Sequence, residues 1–289
     1  MAPRVIRLGN NLLAFYDGRL PGADQNAADD WVQDGALSLG IASYAIVDAG
    51  EALVYDTHVS VEHGAFIRRT VEELGATRIT VVLSHWHLDH VAGTEAFAGC
   101  DVVAGALTAR LLAEHREAIE SGTHEGPPAI NPLVLPTRVL DGPAELQVGG
   151  TQVELLPFAI HSADATVLRL PRERLLLAGD TLEDTVTYVS EPEHLKTHLD
   201  ELSRMRRLDV DRLLPNHGSP EVIGRGGYEP PLIDATQRYL RDLLRHAREP
   251  RPGDDDLRAF VADQLAAGWL VYFAPYERVH RSNLRAVAA

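Results

Sequence analysis

The stretch LSHWHLDHVAGTEAF, Leu83–Phe97, sets His85, His87, Asp89 and His90 within six positions, directly after the apolar run RITVVLS. A short run this rich in β-branched residues suits a strand buried on both faces. In extended backbone, residues two apart face the same way, so His85 and His87 can grip one ion together. Asp89 and His90 lie past the strand end, where the chain turns towards a helix, and can reach a second ion nearby. Imidazole and carboxylate are the usual ligands of zinc and its neighbours. Gly93 suits a tight backbone approach just after the cluster.

Three further ligand-type residues also follow apolar runs: His161 after VELLPFAI, Asp180 after RLLLAG and His217 after DRLLPN. In layered α/β folds, strand ends and the loops after them are where sites assemble. The chain has 13 histidines, and most isolated ones serve at surfaces or as caps. His63, His115, His124, His198 and His246 are read as solvated or structural. The cluster is set apart by its spacing and by its companions at other strand ends.

The 289 residues are 45% apolar, enough for a large core. The formal net charge of −15 opposes nucleic-acid binding, which needs Lys and Arg against phosphates, and favours solubility. The single cysteine, Cys100, allows no intrachain disulfide. The N-terminal twenty residues alternate apolar and polar without an apolar core of the kind a signal peptide has. No apolar run approaches the ~18 residues of a membrane span. The expectation is a cytoplasmic protein with a small-molecule substrate, no nucleic-acid partner and no membrane.

Strands alternate with helices in both halves. RVIRLGNNLLAFY reads as two strands around a turn at Gly9, Asn10 and Asn11, and residues 18–36 as a loop. IASYAIVDAGEALVYDT reads as a hairpin, and VEHGAFIRRTVEELG as a helix stopped by Gly75. ALTARLLAEHREAIE is expected to be one helix, residues 121–138 a loop, and EPEHLKTHLDELSRMRRL an amphipathic helix. After Pro230, IDATQRYLRDLLRHA and DDDLRAFVADQLAA read as helices, followed by the aromatic segment WLVYFAPYERVH. The expected organisation is an α/β domain over 1–230, with a helical segment over 231–289 that packs on the same domain, covers the site or forms a homodimer contact.

The run HWHLDH, with His161 in AIHSADAT, Asp180 in LAGDT and His217 in PNHG, resembles the metallo-β-lactamase-fold hydrolases over about residues 5–225. LVYDT, ahead of the first long helix, adds to the likeness. The resemblance implies a four-layer αβ/βα sandwich with metals at the sheet edge between the two halves. It implies one metal on His85, His87 and His161, a second on Asp89, His90 and His217, and Asp180 bridging them. Asp180 stands where true β-lactamases of the fold usually carry Cys or Ser, and looks like the glyoxalase II, lactonase and thioesterase branch. His87 stands where iron flavoproteins of the fold usually have Glu. Glyoxalase II has a PGHT-like stretch where this chain reads FAIHSADAT, and its basic glutathione-binding cluster is not evident, which points away from a glutathione thioester.

The chemistry implied is hydrolysis of a carboxylic ester, lactone or thioester. Two zinc ions, with iron or manganese as alternatives, would lie roughly 3.5–4 Å apart and hold a bridging hydroxide. Asp89 and Asp180 are the expected catalytic carboxylates; Asp56 and Ser84 are expected to support the ligands. Ser162 and Cys100 lack an activating partner and are read as structural. Tyr188, His194, Tyr228 and His280 are candidate substrate contacts, with Tyr276 and Asn283 beside them. An iron-dependent sulfur dioxygenase and a small-molecule phosphodiesterase are the alternative activities.

Overall fold

The computed structural model describes residues 3–9, 11–19 and 30–288. Asn10 and most of the first expected loop lie outside the described residues. β1 (Arg4–Arg7), β2 (Leu12–Asp17), β3 (Ile41–Asp48) and β4 (Glu51–Tyr55) form an antiparallel meander. β5 (Arg78–Val82), β6 (Asp101–Gly105) and β7 (Arg138–Leu140) extend it in parallel, giving a seven-stranded sheet. The second sheet holds β8 (Ala144–Val148), β9 (Thr151–Pro157), β10 (Thr166–Leu170), β11 (Leu175–Gly179) and β12 (Arg212–Pro215). Its order is β12-β11-β10-β9-β8, and only β11 and β12 run parallel.

The alternation of side chains along each strand builds the layers. Leu53 and Tyr55 of β4, Val82 of β5 and Leu175 and Leu177 of β11 pack between the two sheets. Their neighbours Ala52, Val54 and Val81 face outward onto α1 (Val61–Glu73), through Ile67 and Val71. On the far side, Leu176 and Ala178 meet a helical layer. The result is the expected four-layer αβ/βα sandwich. Burying one Leu or Val side chain is worth about 1.5–3 kcal/mol. A one-residue slip of β4 would turn its two apolar sets to the wrong layers, so the register is strongly specified.

The motif turn carries α2 (Leu88–Val91). The helix expected from ALTARLLAEHREAIE is two, α3 (Ala106–Glu114) and α4 (Arg116–Ser121), broken at His115, whose backbone leaves helical geometry. The second helical layer has α5 (Leu195–Met205), the short α6 (Pro220–Gly224) and α7 (Pro231–His246). DDDLRAFVADQLAA splits likewise, into α8 (Leu257–Phe260) and α9 (Ala262–Ala266), around Val261. The end of the aromatic segment opens a further helix, α10 (Tyr276–Ala288). Tyr239, Leu240 and Leu243 of α7 and Tyr276 and Leu284 of α10 belong to the same apolar cluster as β11 and α5. No helix among the described residues is long and apolar enough to cross a membrane.

Candidate metal centre

β5 runs into His85 at its carboxyl end, β11 into Asp180, β12 into His217, and the β9–β10 connection carries His161. Interlayer tyrosines hold these ends together. Tyr44 donates to Pro215 O at 2.6 Å and Tyr16 to Gly218 O at 2.9 Å, one on each side of His217. Tyr55 donates to Thr166 O, while Thr166 N donates to Ser84 O, tying β10 to the motif strand. A Cβ on Gly93 would lie 2.0 Å from Thr57 O, so glycine is required for the motif turn to close on the strand behind it.

Seven side chains from four strand ends converge as two adjacent groups: His85, His87 and His161, and Asp89, His90, Asp180 and His217. In the first, His87 Nδ1 lies 2.9 Å from His85 Nε2 and 3.0 Å from His161 Nε2. In the second, Asp180 Oδ2 lies 3.0 Å from His90 Nε2 and 3.4 Å from His217 Nε2, and Asp89 Oδ2 lies 3.2 Å from His217 Nε2. Asp180 Oδ2 is also 3.8 Å from both His85 Nε2 and His161 Nε2, which puts this oxygen between the groups.

The outward nitrogens are engaged. His161 Nδ1 donates to Tyr188 O at 3.1 Å, and His217 Nδ1 to Gly40 O at 2.9 Å. A carbonyl only accepts, so the inward Nε2 of each neutral ring carries a lone pair. Ser84 Oγ lies 2.8 Å from His85 Nδ1. Asp56 Oδ2 lies 3.0 Å from His90 Nδ1 and also accepts from Asn216, while Asp56 Oδ1 accepts from Ser84 N. Asp56 and Ser84 thus orient His90 and His85. Asp56 and His161 both hold left-handed backbone, φ 63° and 68°, a conformation worth about 1–3 kcal/mol of strain that clusters at functional sites.

Burial, with neighbouring imidazoles, holds His85 well below the ordinary histidine value and His87 at about 3; burial lowers His161 also. In the second group burial opposes charge, but the carboxylates outweigh it. Asp180 and Asp89 lift His90 and His217 well above the ordinary value. Reciprocally, despite burial, His90 and His217 hold Asp180 well below the carboxylate range and Asp89 at about 2. Asp180 Oδ1 is buried without a hydrogen-bond partner. Converging lone pairs, ionised carboxylates and an orphaned oxygen fit metal binding.

The groups open onto a cavity of about 640 Å³. Trp31, Trp86, Leu39 and Val279 give it apolar wall; Tyr188, a candidate contact, also lines it. The structure places the other three candidates away from the cavity. His194 sits at the surface against Glu191, at the N-cap of α5. Tyr228 is buried, donating to Asp184 and accepting from Ser219 N. His280 is buried between Tyr239 OH and Asp254 O. Asn283 serves backbone groups at Thr187 and Val189, and Tyr276 is fully buried in the core. Ser162 donates to Asp164, and Cys100 packs at the edge of the α1 layer, so neither touches the cavity.

Residues not foreseen from the sequence also line the cavity: Glu125 and Glu183, and Arg278, Ser282 and Arg285 of α10. Glu183 is buried beside the second group, its carboxyl pushed up to about 7 by burial, with His217 and Asp180 acting in opposite directions on it. The signal for the α10 residues was their spacing of four and three within RVHRSNLR. His115 and His124, read as solvated or structural, lie tilted against Trp86, with ring centroids 4.8 and 4.9 Å away.

The sequence matches the family described as the metallo-beta-lactamase superfamily over residues 39–217, more than half of the chain. The chain belongs to this superfamily, whose members are generally metal-dependent hydrolases. It is 27% identical over 180 residues to the lactamase-like protein notP of Aspergillus sp. (strain MF297-2), covering 62% of this chain and 49% of that protein. The chain thus spans about half the length of the curated relative it matches. Among solved structures, a metallo-beta-lactamase from Pontibacter korlensis superposes with a TM-score of 0.58 at 20% identity, over 75% of this chain and 92% of that one. The DIM-1 metallo-beta-lactamase exposed to ceftazidime gives 0.55 at 20% identity, over 76% and 90%. At these identities the likeness speaks for the fold.

Proposed function

We propose that the protein is a dinuclear metal hydrolase, with zinc as resident metal, that cleaves a carboxylic ester, lactone or thioester. The observation that carries this is the placing of Asp180 Oδ2 within 3.8 Å of imidazole nitrogens from both groups. His85, His87 and His161 would hold one ion, Asp89, His90 and His217 the other, and Asp180 both. Bound zinc supplies Lewis acidity towards a carbonyl oxygen and acidifies water to a pKa of about 7.

The chain's own residues do the rest. Asp89, ionised with a value of about 2 and partly open to the cavity, offers an acceptor that orients the attacking water's proton. The Tyr188 carbonyl and Gly40 carbonyl fix the His161 and His217 rings, so the donor nitrogens are preorganised before substrate arrives. Trp31 and Trp86 give the cavity an apolar wall beside the ligand groups, against which the apolar part of a substrate would pack. No side-chain nucleophile is needed, and neither Ser162 nor Cys100 is placed to serve as one.

Elemental analysis of the purified protein beside a panel of aryl esters, lactones and acyl thioesters tests the reading. Close to two zinc ions per chain with hydrolysis of at least one class is the expected result. Protein that carries iron and consumes oxygen, or that holds zinc yet cleaves only phosphodiesters, would overturn it.

A further inference from the structure

The wall of the cavity formed by α10 differs from the rest. Arg278, Ser282 and Arg285 recur at helical spacing on one face, while Tyr276, His280, Asn283 and Leu284 bury the opposite one. The two guanidinium-bearing positions are seven residues apart, about 10.5 Å along the axis. The acidic member of the helix, Glu277, faces elsewhere and pairs with Arg281. Arg278 is already engaged with a partner, Arg285 makes no ion pair among the described residues, and both arginines border the cavity.

This cationic wall stands in a chain of net charge −15. Four acids line the same cavity, and Glu183 among them sits beside Tyr276 of α10. Asp89 and Asp180 are in the ligand groups, Glu183 is electrostatically coupled to Asp180 and His217, and Glu125 to Asp89 and Tyr188. Trp31 and Trp86 supply apolar lining in the same space. α10 also lies outside residues 39–217, the part that matches the family.

We propose that Arg278 and Arg285, with Ser282 between them, form an anion subsite, and that the substrate is an acyl compound bearing a carboxylate or phosphate remote from the bond cleaved. The subsite rests on the hydrolase reading for its purpose. The planar guanidinium fork matches either anion through two parallel hydrogen bonds, and the Ser282 hydroxyl adds a donor. The carbonyl end of such a compound lies towards the ligand groups, its chain along the tryptophans and its charged end on α10.

Binding separates this proposal from the reaction. Adipate and suberate are titrated into the purified protein against hexanoate and octanoate, which share one carboxylate and the chain length but lack the remote anion. A phosphate-ended chain of matching length forms a third arm. Tryptophan fluorescence reports occupancy, since Trp31 and Trp86 line the cavity. The remote anion is expected to tighten binding about tenfold, and the stronger of the carboxylate and phosphate arms names the group. That advantage is expected to vanish in R285Q and R278Q and to persist in R281Q, which removes the same charge from the side of the helix paired with Glu277. Equal affinities for the matched chains, or an advantage untouched by R278Q and R285Q, would overturn the subsite whether or not esters are cleaved. Loss of hydrolysis with the arginine-dependent preference intact would overturn the hydrolase reading alone.

Discussion

The two ligand groups lie side by side yet follow opposite electrostatic plans. His85, His87 and His161 are buried imidazoles with depressed proton affinity, so this group offers lone pairs and no charge. Asp89, His90, Asp180 and His217 combine two ionised carboxylates with imidazoles of raised proton affinity. The first group is ready for a cation at neutral pH; the second must release protons to accept one. One fold thus sets two neighbouring groups of ligand-type side chains at different proton affinities, with Asp180 Oδ2 between them.

The sharpest way to break the pairing is D180A. It removes the oxygen shared by both groups, and kcat/KM on the best ester should fall more than about 100-fold, over about 2.7 kcal/mol of transition-state stabilisation. Retained activity would mean the groups work separately. H161A and H217A then test each side. Each should cost about one equivalent of metal by elemental analysis, from different groups, and loss of both ions from either variant would show that the sites fill only together. D56N comes next. It weakens the hold on His90 and on Ser84 N, and metal affinity should drop about 10–100-fold at the carboxylate-bearing group, measured by competition with a chromophoric chelator.

The smallest effect is on stability. In chelated protein the first group's folded values lie below the ordinary histidine value of about 6.5. The unfolded chain therefore takes up protons first, and stability falls as pH drops below that value. His90 and His217 lie above it, so their contribution is complete below about pH 6.5 and is lost as pH rises through their folded values. Tm against pH should show both slopes, with H87N flattening the acid side and H217N the alkaline side.

The ligand groups could be read from the sequence because metal chemistry restricts residue type and because each ligand follows a buried apolar run. The layers could be read for a similar reason: strands buried on both faces, such as RITVV, leave little choice of environment. The cavity walls were harder. Periodicity tells which residues of a helix share a face but not what that face meets. In α10 it left His280, which packs against Tyr239, indistinguishable from Arg278, which borders the cavity. Tyr228 was misplaced because a tyrosine near a ligand loop can serve its backbone as well as a substrate. Trp86 stood between two ligands throughout, yet an aromatic residue in that position carries no signal of its own.

The first sheet ends at Leu140 and the second begins at Ala144, so Asp141, Gly142 and Pro143 form the covalent crossing between halves that share the seven candidate ligands. A chain cut there yields two fragments, each with a complete sheet and an incomplete set of ligands. If the seven groups hold metal, reassembly of the fragments should be metal-assisted, and the cut chain would report the presence of its ion.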